Sequence, residues 1–332
     1  MAPTLALPQR GREVIGGRFV RRNAWTIGVY ALLLASLIFT VAIHPTYGAY
    51  DVKSLALGVL PLALAAAAQT VVVLSGGIDL TIGPMMAVAN VLAARAMLHQ
   101  NFRDALLIAA LVLVLGCAAG AFNGALVVLS RVPDIVVTLA MSFVWGGIAL
   151  LILEKPGGGA PLEFQNLAQD ASLSPWLPNA FIVLIVVVAV VWVPLRASRP
   201  GLALYAVGSD RAAAHASGVN VAFARVLAYT LSGVFSAAGG LALTMTTGIG
   251  SPLSGTIYTL SGVATIVLGG VSLAGGKGGM LGPMAAALIL TLIPGDLIFL
   301  GIDPNYGQVI QGIVIVLVVM VGGLAALRRK PA

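Results

Sequence analysis

Long apolar runs separated by short polar punctuation set the pattern of this chain. The runs cover about 25–43, 54–74, 82–98, 105–129, 135–153, 180–195, 222–245, 256–273, 280–293 and 307–327. Most approach the roughly 20 residues that a helix needs to cross a hydrocarbon core of about 30 Å, so the pattern predicts an all-α polytopic membrane protein with about ten transmembrane helices. Three parts follow: a basic N-terminal segment 1–24, a single transmembrane domain 25–327 that contains a polar segment 200–221, and a short tail 328–332. The interruption 154–179 reads as an irregular loop with one short helix, 248–255 as an external turn, and Pro294-Gly295-Asp296 as the end of the ninth run.

Composition agrees and charge gives direction. The 332 residues are 59% hydrophobic and only 9% charged, which leaves no room for a sizeable soluble domain. Of the basic residues, Arg10, Arg12, Arg18, Arg21 and Arg22 precede the first run, and Arg328, Arg329 and Lys330 follow the last. Arg131, Arg196, Arg199, Arg211, Arg225 and Lys277 fall on that same side of a ten-span arrangement, against Lys53, Arg103 and Lys155 on the other, with Arg95 near a span end. Both termini are therefore expected in the cytoplasm. The net charge of +7 is not gathered with aromatics on a soluble face, so nucleic acid is not the expected partner. The first run is long and is followed by His44-Pro45, the reading of a retained helix and not of a cleaved signal. Cys117 is the one cysteine and allows no intrachain disulfide.

Between the second and third runs stands Gly76-Gly77-Ile78-Asp79-Leu80-Thr81-Ile82-Gly83, which carries the one carboxylate of that neighbourhood. A carboxylate between apolar segments must lie at an interface, line an aqueous cavity or find a dedicated partner. Asp79 suits the cap of a helix restarting at Ile82, and the glycines permit a tight turn. A second constellation lies at 209–218: Ser209 or Asp210 can cap a short helix, Arg211-Ala212-Ala213-Ala214-His215 favours it, and Gly218 can end it. Such a helix outside the membrane is a natural docking element. The small residues Gly116 and Gly120 read as close helix packing.

Three chemistries fail on spacing. Gly275-Gly276-Lys277-Gly278 suggests a phosphate loop, but Val271 stands where its first glycine belongs and Gly278 where its hydroxyl belongs, so it reads as a basic turn. His44, His99 and His215 fall in three separate loops, so no metal site is expected. No Gly-x-Ser-x-Gly nucleophile elbow is present. Ion-coupled secondary transport is the competing mechanism, with Asp79 and Asp296 the acids that closely adjoin apolar segments.

The run Leu74 to Gly83 resembles the Ile-Asp-Leu and Ser/Thr signature of ribose-type sugar ABC transporter permeases. Ala206-Val207-Gly208-Ser209-Asp210 through Gly218-Val219-Asn220 is similar to that family's coupling segment, Gly269 to Gly278 to its paired-glycine loop, and Gln308-Val309-Ile310-Gln311-Gly312 to the start of its last helix. Asn123-Gly124 and Arg131-Val132-Pro133 also fit. The resemblance implies a non-enzymatic, multi-pass subunit of the bacterial inner membrane, paired with a second permease copy or a paralogue. It also implies a separate ATPase subunit that uses ATP and magnesium, a periplasmic sugar-binding protein, and Ser209 to Gly218 as the element that meets the ATPase. Departures at Tyr258-Thr259-Leu260, Pro283, Ala286 and Pro294-Gly295-Asp296 leave the sugar or polyol open. A neutral polar permeant calls for amides, hydroxyls and an aromatic, which makes Gln69, Asn123, Thr138 and Trp145 the pathway candidates. Alternatives are an ABC permease for a nucleoside or branched-chain amino acid, or an ion-coupled carrier.

Overall fold

The structure is a computed structural model and describes residues 10–303, 305–307, 309–310, 312–313, 316 and 320, with side chains from residue 25 onward. The described residues of the expected tenth run are helical. The rest of that run, Gln308 and Gln311 of its start motif, and the tail 328–332 lie outside the described residues.

Ahead of that run the described residues form twelve helices: α1 (Arg10–Ile43), α2 (Ala49–Leu74), α3 (Ile82–Ala96), α4 (Phe102–Ser130), α5 (Asp134–Ile152), α6 (Leu162–Gln169), α7 (Asn179–Ala197), α8 (Arg199–Ser209), α9 (Arg211–Ala216), α10 (Val221–Thr247), α11 (Thr256–Leu268) and α12 (Leu281–Phe299). Among the described residues seven of these are long and apolar enough to span a membrane: α1 from Trp25, α2, α4, α5, α7, α10 and α12. The protein is an all-helical polytopic membrane protein. Buried α2 and α10 form its centre, while α4 and α5 turn large side chains such as Leu107, Phe143 and Leu151 outward, where lipid or another chain takes the place of water.

Close approach of α4 and α10 rests on absent side chains. A Cβ on Gly116 or Gly120 would run into Gly233 or Tyr229 of α10, so these glycines are packing residues, as their spacing predicts. The interruption at 154–179 holds the expected short helix, α6. It buries Phe164, and Gln169 Nε2 donates to the Met245 carbonyl at 2.9 Å, which fixes the loop on the end of α10.

Three sequence expectations change. Pro294 does not end the ninth run: α12 continues through it to Phe299, as membrane helices allow where neighbours compensate for the lost hydrogen bond. The eighth run gives a helix of only 13 residues, because Gly269 and Gly270 break it and Gly270 takes φ 82°. The external turn 248–255 is a returning strand of chain. Its Ser251 N–H donates to Asn90 Oδ1 at 2.8 Å, and Gly255 meets Gly83 about two turns deeper along α3. Irregular backbone survives at that depth because protein encloses it and Asn90 satisfies it: Asn90 Nδ2 also donates to Thr244 Oγ1 at 2.9 Å and to the Ile249 carbonyl at 3.1 Å. Asn90 was not among the sequence candidates; an amide inside an apolar run was its one signal.

Helices α3 and α11, of 15 and 13 residues, are about 22 and 20 Å long and fall short of a full crossing. Each follows a long buried helix after a break, α2 in one case and α10 in the other, and the two pairs run in opposite directions. Their starting ends meet at Gly83 and Gly255.

At one end of the bundle Gly208 of α8 lies between the Leu74 carbonyl and the Gly276 N–H, with no space for a Cβ. Gly208→Ala is expected to lower stability by about 1–3 kcal/mol through overpacking. Gly28→Ala, which meets open space on α1, should leave the melting temperature of the detergent-purified protein unchanged.

Candidate functional site

The segments that the sequence marks as motifs converge at that same end. Helix α2 stops where Gly76 takes φ 79°, with Gly76 N–H and Gly77 N–H returning to the Val73 and Val72 carbonyls. The left-handed turn requires glycine, and the chain then passes directly beneath α8 and the α11–α12 loop. Gly276 N–H donates to the Leu74 carbonyl at 3.1 Å. Gly275 and Gly276, with φ 87° and 68°, present backbone to Gly76, Gly208 and Ser209. Gly278 is also left-handed, at φ 130°, and its carbonyl accepts from Tyr205 of α8 at 2.9 Å. Burial pushes the Tyr205 hydroxyl above its ordinary range. Lys277 extends from the turn into the open.

On this base stands α9. Asp210 is its cap: Oδ1 accepts from Ala212 N–H at 2.8 Å and Ala213 N–H at 3.0 Å, while Ser209 closes α8 by donating to the Tyr205 carbonyl. Gly218 follows at φ 81°. Ala214 is buried and anchors the helix; Arg211, Ala212, Ala213 and His215 are exposed. Two hollows flank it, one of about 570 Å³ bordered by His215, Gly218 and Arg225, the other of about 510 Å³ bordered by Gly76, Gly77, Arg131, Asp134, Arg211 and Arg225.

Asp134 is the hub beneath α9. It forms an ion pair with Arg225 and accepts from the Tyr229 hydroxyl at 3.1 Å, and Arg211 stands 3.9 Å away. Arg211 Nη2 in turn donates to the Gly76 carbonyl at 3.0 Å. Sequence reasoning treated Arg225 as an orientation signal and did not single out Asp134. Their pairing crosses 91 positions, and nothing local announces it.

One helical turn further in, the Ile78 carbonyl accepts from Thr138 at 3.2 Å. Asp79 follows, fully buried, with three donors on its carboxylate: Thr81 N–H at 2.8 Å and Thr81 hydroxyl at 2.6 Å on Oδ1, and Ser232 hydroxyl at 2.8 Å on Oδ2. Thr81, not Asp79, is the cap residue of α3, so Asp79 fixes the residue that starts the helix and does not bond its first-turn amides. Asn123 Nδ2 donates to Thr81 Oγ1 at 2.9 Å, and Trp145 Nε1 donates to Asn123 Oδ1 at 3.1 Å. Two pathway candidates thus join the Asp79 loop in one buried polar layer. Asn123 lies about 12 Å along α4 from its Arg131 end, well inside a bilayer. Gln69, on α2, stands apart, buried with both polar atoms lacking a hydrogen-bond partner among the described residues. Gly83 belongs to the α3–α11 contact and not to this layer. Among the described residues no cluster of His, Cys, Asp or Glu could hold a metal ion.

Comparison with known proteins adds an independent line. Residues 52–319 match the model of the family described as "Branched-chain amino acid transport system / permease component". The ribose import permease protein of Escherichia coli (strain K12) is 29% identical over 321 residues, 93% of this chain and 98% of that protein. The ribose import permease protein of Bacillus subtilis (strain 168) is 31% identical over 77% of this chain and 80% of its own length. The fructose import permease protein of Rhizobium meliloti is 29% identical over 91% and 86%. No solved structure matches.

The layer predicts a divided response at Asp79. Asp79→Asn retains an acceptor for Thr81 and a partner for Ser232, and should keep most of its expression and thermal stability. Asp79→Leu strands donors away from water, costing about 1–3 kcal/mol for each one left unsatisfied, and should yield aggregated or unassembled protein by size-exclusion chromatography.

Proposed function

The chain belongs to the family of branched-chain amino acid transport system permease components, and on that premise we propose that it forms the translocation pathway of an ATP-binding cassette importer for a monosaccharide or related polyol. The family is one of transport subunits, not enzymes. Its description names branched-chain amino acids, but the relatives compared carry the names of ribose and fructose permeases. The residues favour the same substrate class. A neutral polyhydroxy permeant needs no charge clamp, and the buried Asp79 carboxylate is already taken up by Thr81 and Ser232.

The observation that carries the proposal is α9. A short helix, capped by Asp210 and exposed on Arg211, Ala212, Ala213 and His215, stands between two hollows and rests on glycine-packed backbone. This is the form expected of an element seated in a groove of an ATPase subunit. Motion imposed on α9 reaches the break between α2 and α3 through Arg211 and the Gly76 carbonyl, and reaches α5 through Asp134. Work is transmitted only if the ATPase binds α9 with different free energy in its two states. ATP and magnesium act on that partner, and a periplasmic binding protein delivers the sugar on the opposite side.

In this reading the chain has ten spans, with both termini and α9 at the cytoplasmic face of the bacterial inner membrane. The support is the collection of Arg131, Arg211 and Arg225 at one end, and Trp25 near the start of the first span, which bonds the Leu268 carbonyl close to the same end. A second permease, a copy or a paralogue, covers part of the outward apolar face of α4 and α5. Asn123, Thr138 and Trp145 spend their polar atoms on positioning the Asp79 loop, which leaves Gln69 as the pathway candidate with polar atoms free.

In proteoliposomes with its ATPase and binding protein, sugar uptake should require ATP and ignore proton and sodium gradients. Gradient-driven uptake by the chain alone would refute the importer reading in favour of a secondary carrier. Replacing Asp210 and Arg211 together by Ala removes a cap worth about 1 kcal/mol and the tie to Gly76. ATP hydrolysis should then proceed without uptake, or the ATPase should not co-purify, while membrane insertion stays intact.

A further inference from the structure

The hollow bordered by Gly76, Arg131, Asp134, Arg211 and Arg225 contains more positive charge than it uses. Asp134 is the one carboxylate in its wall, and Arg225 and Tyr229 already hold it. Arg211 is about half exposed, pairs loosely with Asp134 at 3.9 Å, and among the described residues makes one side-chain hydrogen bond, to the Gly76 carbonyl, so most of its donors remain free. Among the described residues the Arg131 side chain makes no hydrogen bond or ion pair, and it is exposed at the rim.

Arg131 is also held unusually. It takes φ 59° at the end of α4, one of two non-glycine left-handed residues among those described. That conformation is unfavourable for a residue with a Cβ, and glycine would relieve it. An arginine at this position puts a guanidinium at the mouth of the hollow, on backbone set between the helix end and Pro133. The hollow opens immediately beside the exposed face of α9.

We infer that this hollow receives a carboxylate side chain from the ATPase subunit, bound by Arg131 and Arg211; the inference rests on the importer reading above. Two guanidinium groups with free donors suit the paired oxygens of a carboxylate, and charge-assisted bonds of this kind are among the strong ones. The acid would occupy the second valence that Asp134 leaves open on Arg211. Docking would then load the Arg211 bond to Gly76 directly, so the same contact that recruits the ATPase pulls on the break between α2 and α3.

The test measures binding of the ATPase subunit to full-length permease in nanodiscs, across a salt series and in two lipid compositions. Arg131→Gln should weaken association about tenfold and flatten its dependence on salt, Arg131→Lys should recover part of the loss, and Arg103→Gln at the opposite end should change nothing. Unchanged affinity and salt dependence in Arg131→Gln would overturn the inference and leave the importer reading standing. A difference seen only in anionic lipid, absent in zwitterionic nanodiscs, would also overturn it and assign the hollow to lipid headgroups. An ATPase that does not bind the wild-type chain at all would overturn both.

Discussion

Backbone packed directly on backbone is the constraint from which the rest of this molecule follows. At one end of the bundle the last carbonyl of α2, the α8 glycine Gly208 and the loop glycines Gly275 and Gly276 occupy a space that excludes any Cβ. The hydrogen bond from Gly276 to Leu74 is made within that contact. Because these segments touch without intervening side chains, a displacement of one becomes a displacement of the others; close-packed contacts have little compliance to absorb it. The short helix α9 stands on this block, and the break between α2 and α3 hangs beneath it. Arg211 and Asp134 add directional ties where side chains are available.

The second organising feature is the antiparallel correspondence of α2 and α3 with α10 and α11. In each pair a long buried helix gives way to irregular chain and then to a helix too short to cross the membrane. Short apolar segments at corresponding positions of two oppositely directed halves are where transporters concentrate polar function near the midplane. Here the polar groups near those breaks satisfy one another in two sets: Asp79, Thr81, Ser232, Asn123 and Trp145 on one side, Asn90, Thr244 and Ser251 on the other. Satisfied networks of this kind are rigid. They fix the short helices in place.

Periodicity made most of this legible. Apolar runs gave the long helices to within about six residues, except that α1 begins at Arg10, inside the segment read as polar, and the Ser-Asp-Arg-Ala pattern gave α9 with Ser209 or Asp210 as its cap, of which the structure uses Asp210. The glycine motifs announced close contacts without naming their partners, because Gly76, Gly208 and Gly276 meet only in three dimensions. Two features were hidden for physical reasons. The segment 248–255 has the Gly, Ser and Pro content of a surface turn, since irregular backbone needs those residues wherever it lies, and only Asn90 reveals that it lies inside. Asp134 and Arg225 resemble ordinary interfacial charges because each stands at a helix start near a polar loop. Their partnership is a product of the fold and not of local sequence.

The contact of Gly83 with Gly255 bears on how the protein is made. Helix α3 emerges from the ribosome early, yet it is too short to settle across a bilayer alone, and its buried Asn90 has partners that are synthesised some 150 positions later. Until α10 and the returning segment arrive, α3 has nothing to satisfy that amide. The contacts that fix its position therefore form only once α10 and the returning segment have been made. The first half of the permease is completed by the second, and a truncated chain ending before α10 lacks the surface on which α3 is built.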